Sequence, residues 1–321
     1  MPPLPTLTEI ESAAALVRPF VPATPQFNWP LLSARAGCEL WVKHENHTPL
    51  GAFKVRGGLV YFARLAQREP GLRGVIAATR GNHGQSVAFA ARRHGLAVTI
   101  VVPRGNSVEK NHAMRALGAE LIEHGDDFQA ALEHAQRLAA ARGLHPMPSY
   151  HHDLVCGVAV SALDFLRNTP ALDVLFVPIG MGSGVCAMIA ARDALGLPTK
   201  IVGVVSAAAP AIARSFEARR LVTHPVSTRI ADGLACSTPN PEALEHILHG
   251  VERIVSVTDD ETEAALRACF ADTHNVVEGA AAAGLAAVLQ EKSSNAGRRV
   301  GLVLTGGNID TPVLARVLAA A

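Results

Sequence analysis

Residues 74–102 read GVIAATRGNHGQSVAFAARRHGLAVTIVV, and this stretch decides the fold. Gly74 to Thr79 is a short apolar run that reads as a strand, and Ala97 to Val102 reads as a second. Both are continuously apolar rather than alternating, which suits a parallel sheet covered on both faces. Between them lie a loop rich in Gly and Asn and the alanine-rich segment Gln85 to Arg93, which predicts a helix. Strand, loop, helix, strand is the unit of an α/β fold.

The same rhythm continues on both sides. Helices are predicted over Ser107 to Leu117 and Phe128 to Ala141, with a strand at Glu120 to Glu123 between them. Later come the pairs Val174 to Pro178 with Val185 to Ala194, Ile201 to Val205 with Ala209 to Ala218, and Arg299 to Leu304 with Thr311 to Ala320. Pro146 to Asp153, with its prolines, a tyrosine and two histidines, interrupts this pattern and is the candidate junction between domains. There are no repeats and no low-complexity tail.

Bulk properties exclude several classes of function. The chain has 321 residues, 49% hydrophobic and 18% charged, which is the balance of a folded globule. A net charge of +1 and an aromatic content of 4% offer neither a basic face nor a stacking platform for nucleic acid. The proline-rich start lacks the pattern of a signal peptide, and the longest apolar stretch, Val202 to Ala213, is broken by Gly203, Ser206 and Pro210. Cys38, Cys156, Cys186, Cys236 and Cys269 are odd in number and scattered, as reduced thiols of a cytoplasmic protein would be.

Ligands of open α/β sheets sit beyond the carboxyl ends of the strands. Three loops there are rich in glycine: Arg80 to Gly84, Gly180 to Gly184, and Thr305 to Asn308. The loop Gly180-Met181-Gly182-Ser183-Gly184 can turn backbone N–H groups and a helix N-terminus toward a phosphate, although it reads equally as a tight turn. It is no Walker A loop, since no Gly-Lys-Ser/Thr follows. Thr79-Arg80-Gly81-Asn82-His83-Gly84-Gln85 offers donors for a carboxylate, or simply a helix cap at Asn82. Lys54 follows Phe53 in a turn rich in Gly and Pro, where a lysine is positioned for covalent work or merely begins a helix. Thr305 ends the last apolar strand.

Taken together, the Gly51-Ala52-Phe53-Lys54-Val55-Arg56-Gly57 segment, the Gly-Asn-His-Gly-Gln loop, the Gly180 to Gly184 loop and the closing Thr305-Gly306-Gly307-Asn308 resemble the fold-type-II pyridoxal-phosphate enzymes. Within them the serine/threonine dehydratases are most similar, with Thr24-Pro25-Gln26 and Ala231-Asp232-Gly233-Leu234-Ala235 as further matches, so the resemblance spans nearly the whole chain. It implies two open, mostly parallel sheets with helices on both faces. One large cofactor-binding domain would comprise residues 1–71 and 149–321, and a small mobile domain residues 72–148. It implies pyridoxal 5'-phosphate as cofactor and a homodimer as the assembly. Lys54 then corresponds to the Schiff-base lysine and general base, Phe53 to the residue packed on the ring, and Asn82 to the donor for the ring hydroxyl. Gly180, Met181, Gly182, Ser183 and Gly184 correspond to the phosphate cradle, and Thr305 to the hydroxyl facing the ring nitrogen. Thr79, Arg80, Gly81, His83 and Gln85 would receive the substrate. The implied reaction is removal of water and ammonia from a 3-hydroxy amino acid of threonine or serine type, giving a 2-keto acid.

The chain departs from the family pattern at several places. Arg80 stands where relatives carry Ser or Ala, which disfavours racemisation through that residue and keeps a dicarboxylic substrate such as 3-hydroxyaspartate in play. Val204-Val205-Ser206 lacks the oxygen ligands of the family's cation site, so no metal is expected there. Val155-Cys156-Gly157-Val158-Ala159-Val160 replaces a polar Ala-Gly-Gln-Gly-Thr segment, which suggests a more apolar side-chain pocket and a bulkier substrate such as phenylserine. His151-His152 is expected to be a polar interdomain loop, and Glu278 either an acid at the start of the helix Gly279 to Leu289, the reading favoured, or a residue of the cofactor pocket. Met181 replaces a glycine of the cradle. β-Replacement is an alternative reaction on this fold. A non-catalytic ligand sensor would have lost Lys54 or the phosphate loop, and both are present. The last predicted helix runs to the chain end, leaving no expectation of a C-terminal regulatory module.

Overall fold

The computed structural model describes residues 3–320. Ten strands form two sheets: β1 (Gln26–Asn28), β2 (Glu39–His44), β3 (Gly74–Ala78), β4 (Ala97–Val102), β5 (Glu120–Glu123), β6 (His145–Pro146), β7 (Val174–Pro178), β8 (Lys200–Ser206), β9 (Arg253–Val257) and β10 (Arg299–Leu304). The larger sheet has the order β1-β2-β10-β7-β8-β9 and the smaller β5-β4-β3-β6. Every pairing is parallel except β1 with β2 at the edge. The smaller sheet is drawn wholly from residues between β2 and β7, so the chain leaves the larger sheet once and returns once.

The continuously apolar runs end up where their composition demands. All five residues of β3 and of β7 are buried, and so is every residue of β10 after Arg299. Helices cover both faces, as parallel sheets require. The strands expected at Ala97–Val102, Glu120–Glu123, Val174–Pro178 and Arg299–Leu304 form with those bounds.

The interruption at Pro146 to Asp153 differs from expectation. Its histidines are not a loop but the start of the buried helix His152–Arg167, with the ring Nδ1 of His151 accepting from the Asp153 N–H at 3.0 Å. Asp153 is buried and held by Arg64 at 2.6 Å and Arg68 at 2.7 Å, while His152 turns away to Glu9 at 3.2 Å. Proline and histidine there mark a helix start, which the proline-rich approach disguised.

A buried ion pair fixes the turn that leads into the helix Lys54–Arg68. Arg56, with no exposed surface, grips Glu45 through two nitrogens at 2.7 and 3.1 Å and donates to the carbonyls of Val21 and Pro22. Burial works against the Glu45 carboxylate, but the guanidinium outweighs it and holds the group below its usual range. Removing either partner would strand a buried charge, at a cost of about 3–5 kcal/mol.

Candidate active site

The loops after β3, β7 and β10 meet in one cleft, with a cavity of about 150 Å³, between the two sheets. Lys54 reaches it from the N-terminus of its helix. Thr48 pins the preceding turn by accepting from the Ala52 N–H and donating to the Ala52 carbonyl, and the Phe53 N–H donates to the Thr305 carbonyl at 3.0 Å. Ser86 Oγ donates to the Lys54 carbonyl at 2.7 Å. The side chain is thereby aimed: Nζ donates to Ser183 Oγ at 3.0 Å and lies 5.0 Å from the centre of the Phe53 ring. Burial lowers the Lys54 pKa to about 8 against the pull of Glu278. A lysine so placed is an available nucleophile and base.

The loop 180–184 leads into the helix Ser183–Ala194. No side chain caps that helix, and the N–H groups of Ser183, Gly184 and Val185 find no acceptor among the described residues. Gly182 has φ +102, and a Cβ there would lie 2.6 Å from the Ala243 Cβ, so the turn requires glycine. Met181 packs its sulfur 3.6 Å from Cys236 Sγ, which accommodates a side chain in place of the usual glycine.

The loop after β3 forms a second uncapped helix start. Thr79 Oγ1 accepts from the Gly81 N–H at 3.1 Å, and the helix Asn82–Ala91 begins without a side-chain cap. Asn82 therefore does not cap; its amide instead donates to Glu278 at 2.7 Å and accepts from Asn308 at 2.9 Å. His83 is pushed down to about 3 by burial and by the charge of Lys54, so its imidazole is neutral near pH 7, and its Nε2 has no partner. Arg80 Nε is likewise buried without a partner.

Phe53, Lys54, Thr79, Arg80, Gly81, Asn82, His83, Gly180, Met181, Gly182, Ser183, Gly184 and Thr305 all border the cleft. Gln85 does not; it is buried within its helix. The segment Val155 to Val160 does not border the cleft either, because it lies along the core helix His152–Arg167. Only Val158 reaches a small separate cavity behind Phe53 and Thr305. Those residues therefore give no support to a bulky apolar substrate. Glu278 answers to both of its readings: it stands at the N-terminus of the helix Gly279–Gln290, and its carboxylate makes no capping bond and borders the cleft.

Lys110, Phe128, Ser149, Asp232 and Cys236 also border the cleft, and the sequence alone assigned none of them a site role. Lys110 sits in a predicted helix among polar residues and reads as a solvated lysine, and nothing local marks it as buried. The Asp232 segment carried the one available signal, as a family-like motif.

The donor set fits a phosphorylated pyridine aldehyde. Two uncapped helix N-termini can each hold an anion, an aromatic ring and a hydroxyl flank the space between, and a lysine with a lowered pKa stands ready for a carbonyl carbon. Residues 17–306 match the family model described as pyridoxal-phosphate dependent enzyme. The chain is 32% identical to an L-threonine ammonia-lyase of Thermotoga maritima, over 98% of this chain and 78% of that protein. It is 31% identical to an L-threo-3-hydroxyaspartate ammonia-lyase of Saccharomyces cerevisiae, over 96% and 94%. A crystal structure of a pyridoxal 5'-phosphate-dependent aspartate racemase superposes with a TM-score of 0.91 at 29% identity, covering 98% of this chain and 99% of that one. With a lysine, two uncapped helix starts and a family match across most of its length, the chain belongs to the pyridoxal-phosphate-dependent enzymes.

Proposed function

We propose that the chain is an ammonia-lyase acting on a 3-hydroxy amino acid of threonine or serine type, yielding a 2-keto acid and ammonia. The observation that carries this reading is the pair of uncapped helix N-termini facing one cleft around Lys54. One suits the cofactor phosphate, held by Gly180 to Gly184, and the other a substrate carboxylate, held by Thr79 to His83. Asn82 and Thr305 are the groups for the ring hydroxyl and ring nitrogen.

When bound, the cofactor supplies an electron-withdrawing ring that stabilises negative charge at the substrate Cα. Lys54, neutral above about pH 8, takes the Cα proton once it is free of the cofactor. The Asn82 helix start fixes the carboxylate and so sets which Cα bond lies against Lys54. Thr305 is an uncharged hydroxyl, so it does not hold a proton on the ring nitrogen as a carboxylate would, and charge at Cα is left to expel the β-substituent. Arg80 is a poor proton shuttle, since a guanidinium stays charged. This weighs against racemisation.

A second reading has a specific observation behind it. The buried, unpartnered Nε of Arg80 in the cleft wall suits a substrate with a second carboxylate, such as 3-hydroxyaspartate. Keto-acid release from threonine, serine, phenylserine and 3-hydroxyaspartate separates the readings. The first expects threonine or serine to lead, while the second expects 3-hydroxyaspartate to lead and Arg80→Gln to erase that preference. A purified protein whose visible cofactor band survived Lys54→Ala would overturn both.

A further inference from the structure

Lys110 has no part in the chemistry above, yet it is only 7% exposed and borders the cleft. It lies on the helix Val108–Ala116, which belongs with the smaller sheet. Its Nζ stands 3.3 Å from Glu278 Oε2 and 3.7 Å from Asp232 Oδ2, both beside the larger sheet. Burial pulls its pKa down, but Glu278 and Asp232 pull it up further, with Asp310 assisting, so the ammonium stays charged.

Behind this pair runs a row of bonds with one direction. The other oxygen of Glu278 accepts from Asn82 Nδ2 at 2.7 Å, and Asn82 Oδ1 accepts from Asn308 Nδ2 at 2.9 Å. Asn308 Nδ2 also donates to the Leu50 carbonyl at 2.8 Å. A carbonyl and a carboxylate only accept, so neither amide in between can turn over without setting acceptor against acceptor. One N–H of Asn82 is left, on a side chain that lines the cleft. The row is closely fitted. A Cβ at Gly81 would lie 2.4 Å from Lys110 Cδ, and one at Gly306 would lie 2.7 Å from Glu278 Oε1.

The direction of the row depends on Glu278 being ionised. A buried carboxyl group with no cation beside it takes up a proton. It can then present a hydroxyl to Asn82, whose amide must either meet it donor to donor or turn over and lose Asn308. The charged groups facing Glu278 are Lys110 and, at longer range, Lys54. Lys54 is lost as a cation when its amine is neutral, which leaves Lys110.

We infer that Lys110 is a positioning residue: its ammonium keeps Glu278 an acceptor-only carboxylate, which fixes the free N–H of Asn82 toward the cofactor ring. The inference rests on the ring lying against Asn82, as proposed above, and it assigns Lys110 no contact with the reacting atoms.

The test is a cycle of Lys110→Met, Glu278→Gln and the double variant, with Lys110→Arg as the conservative control. Affinity for pyridoxal phosphate and the pH dependence of the cofactor absorbance are read for each, with circular dichroism of the apoprotein as the fold check. Lys110→Met is expected to weaken cofactor binding tenfold or more and to add a pH-dependent spectral transition that the parent lacks. Lys110→Arg should behave as the parent. In the Glu278→Gln background, where the acceptor no longer needs a counter-charge, Lys110→Met should change affinity less than about twofold and add no transition. A parental affinity and spectrum in Lys110→Met overturns the proposal, and so does an effect that persists in full beside Glu278→Gln. Lys110→Gln, which keeps the stem against Gly81, carries the same test if the methionine variant does not fold. Loss of the cofactor band in Lys54→Ala establishes the cofactor site separately, so failure of one claim is distinguishable from failure of the other.

Discussion

An amine with its pKa lowered to about 8 changes what pH does to this site. At pH 7 most of Lys54 carries a proton, and the neutral, reactive fraction grows about tenfold per pH unit until it levels above 8. The rate at which apoprotein takes up pyridoxal phosphate is therefore expected to rise with pH and flatten just above 8. An ordinary lysine would keep rising toward 10.5. Stopped-flow absorbance between pH 6 and 10 measures this, and a rate still climbing at pH 10 contradicts it. The sign for stability is the same. Between about 8 and 10.5 the unfolded chain binds a proton that the folded chain has released, so Lys54 makes the apoprotein more stable as pH rises through that window. His83 works in the same direction in acid. Its imidazole is held neutral down to about 3, so below its ordinary pKa of 6.5 the unfolded chain gains a proton the folded chain refuses, and stability falls.

At the level of elements, the loop Gly180 to Gly184 makes the sharpest claim, because Gly182 has to be glycine and Gly184 does not. Gly182 has φ +102 and faces Ala243 at 2.6 Å, whereas a Cβ on Gly184 would sit 3.6 Å from the Phe53 ring in ordinary contact. Gly182→Ala is expected to strain the turn by about 1–3 kcal/mol and weaken cofactor affinity roughly tenfold or more. Gly184→Ala should leave folding stability within about 0.5 kcal/mol. Chemical denaturation and cofactor titration compare the two, and equal losses would show that the turn is not the cradle. The contrast also shows how far these elements were legible. Buried parallel strands such as Val174–Pro178 stand out because a continuous apolar run has few other uses, and glycine loops after them stand out because backbone must approach a ligand there. The helix His152–Arg167 was hidden because its start carries histidines and follows prolines, and its buried face was read as pocket wall. Lys110 and the role of Glu278 were hidden for a different reason. A charge pair assembled from residues 168 positions apart leaves no local pattern, so only the fold reveals that each neutralises the other.

Behind the cleft the helices Lys54–Arg68 and Asn82–Ala91 share one apolar core, but at its mouth the two sides meet through a small, polar set of bonds, and this bears on the molecule as a whole. Ser107 donates to Asp310, the Thr311 N–H donates to Glu109 at 2.8 Å, and Asn82 joins Glu278 and Asn308. All of these lie near the ends of β3 and of the loop leading into the helix Val108–Ala116, on the cleft side. Each is worth about 0.5–1.5 kcal/mol, a sum that ligand binding can readily shift. We propose that residues 72–148 move as a unit and that these contacts form fully when cofactor and substrate are in place. Hydrogen exchange is then expected to slow in residues 79–84, 107–111 and 305–311 when a non-reactive amino acid is added to the holoenzyme, while β4 and the helix Gly279–Gln290 stay unchanged. The double variant Ser107→Ala, Glu109→Gln should raise KM several-fold yet keep the parental cofactor spectrum, since neither residue borders the cleft. Protection spread evenly over both sheets would mean that the enzyme stiffens throughout instead of closing. The proposal therefore depends on the slowing being confined to those three segments.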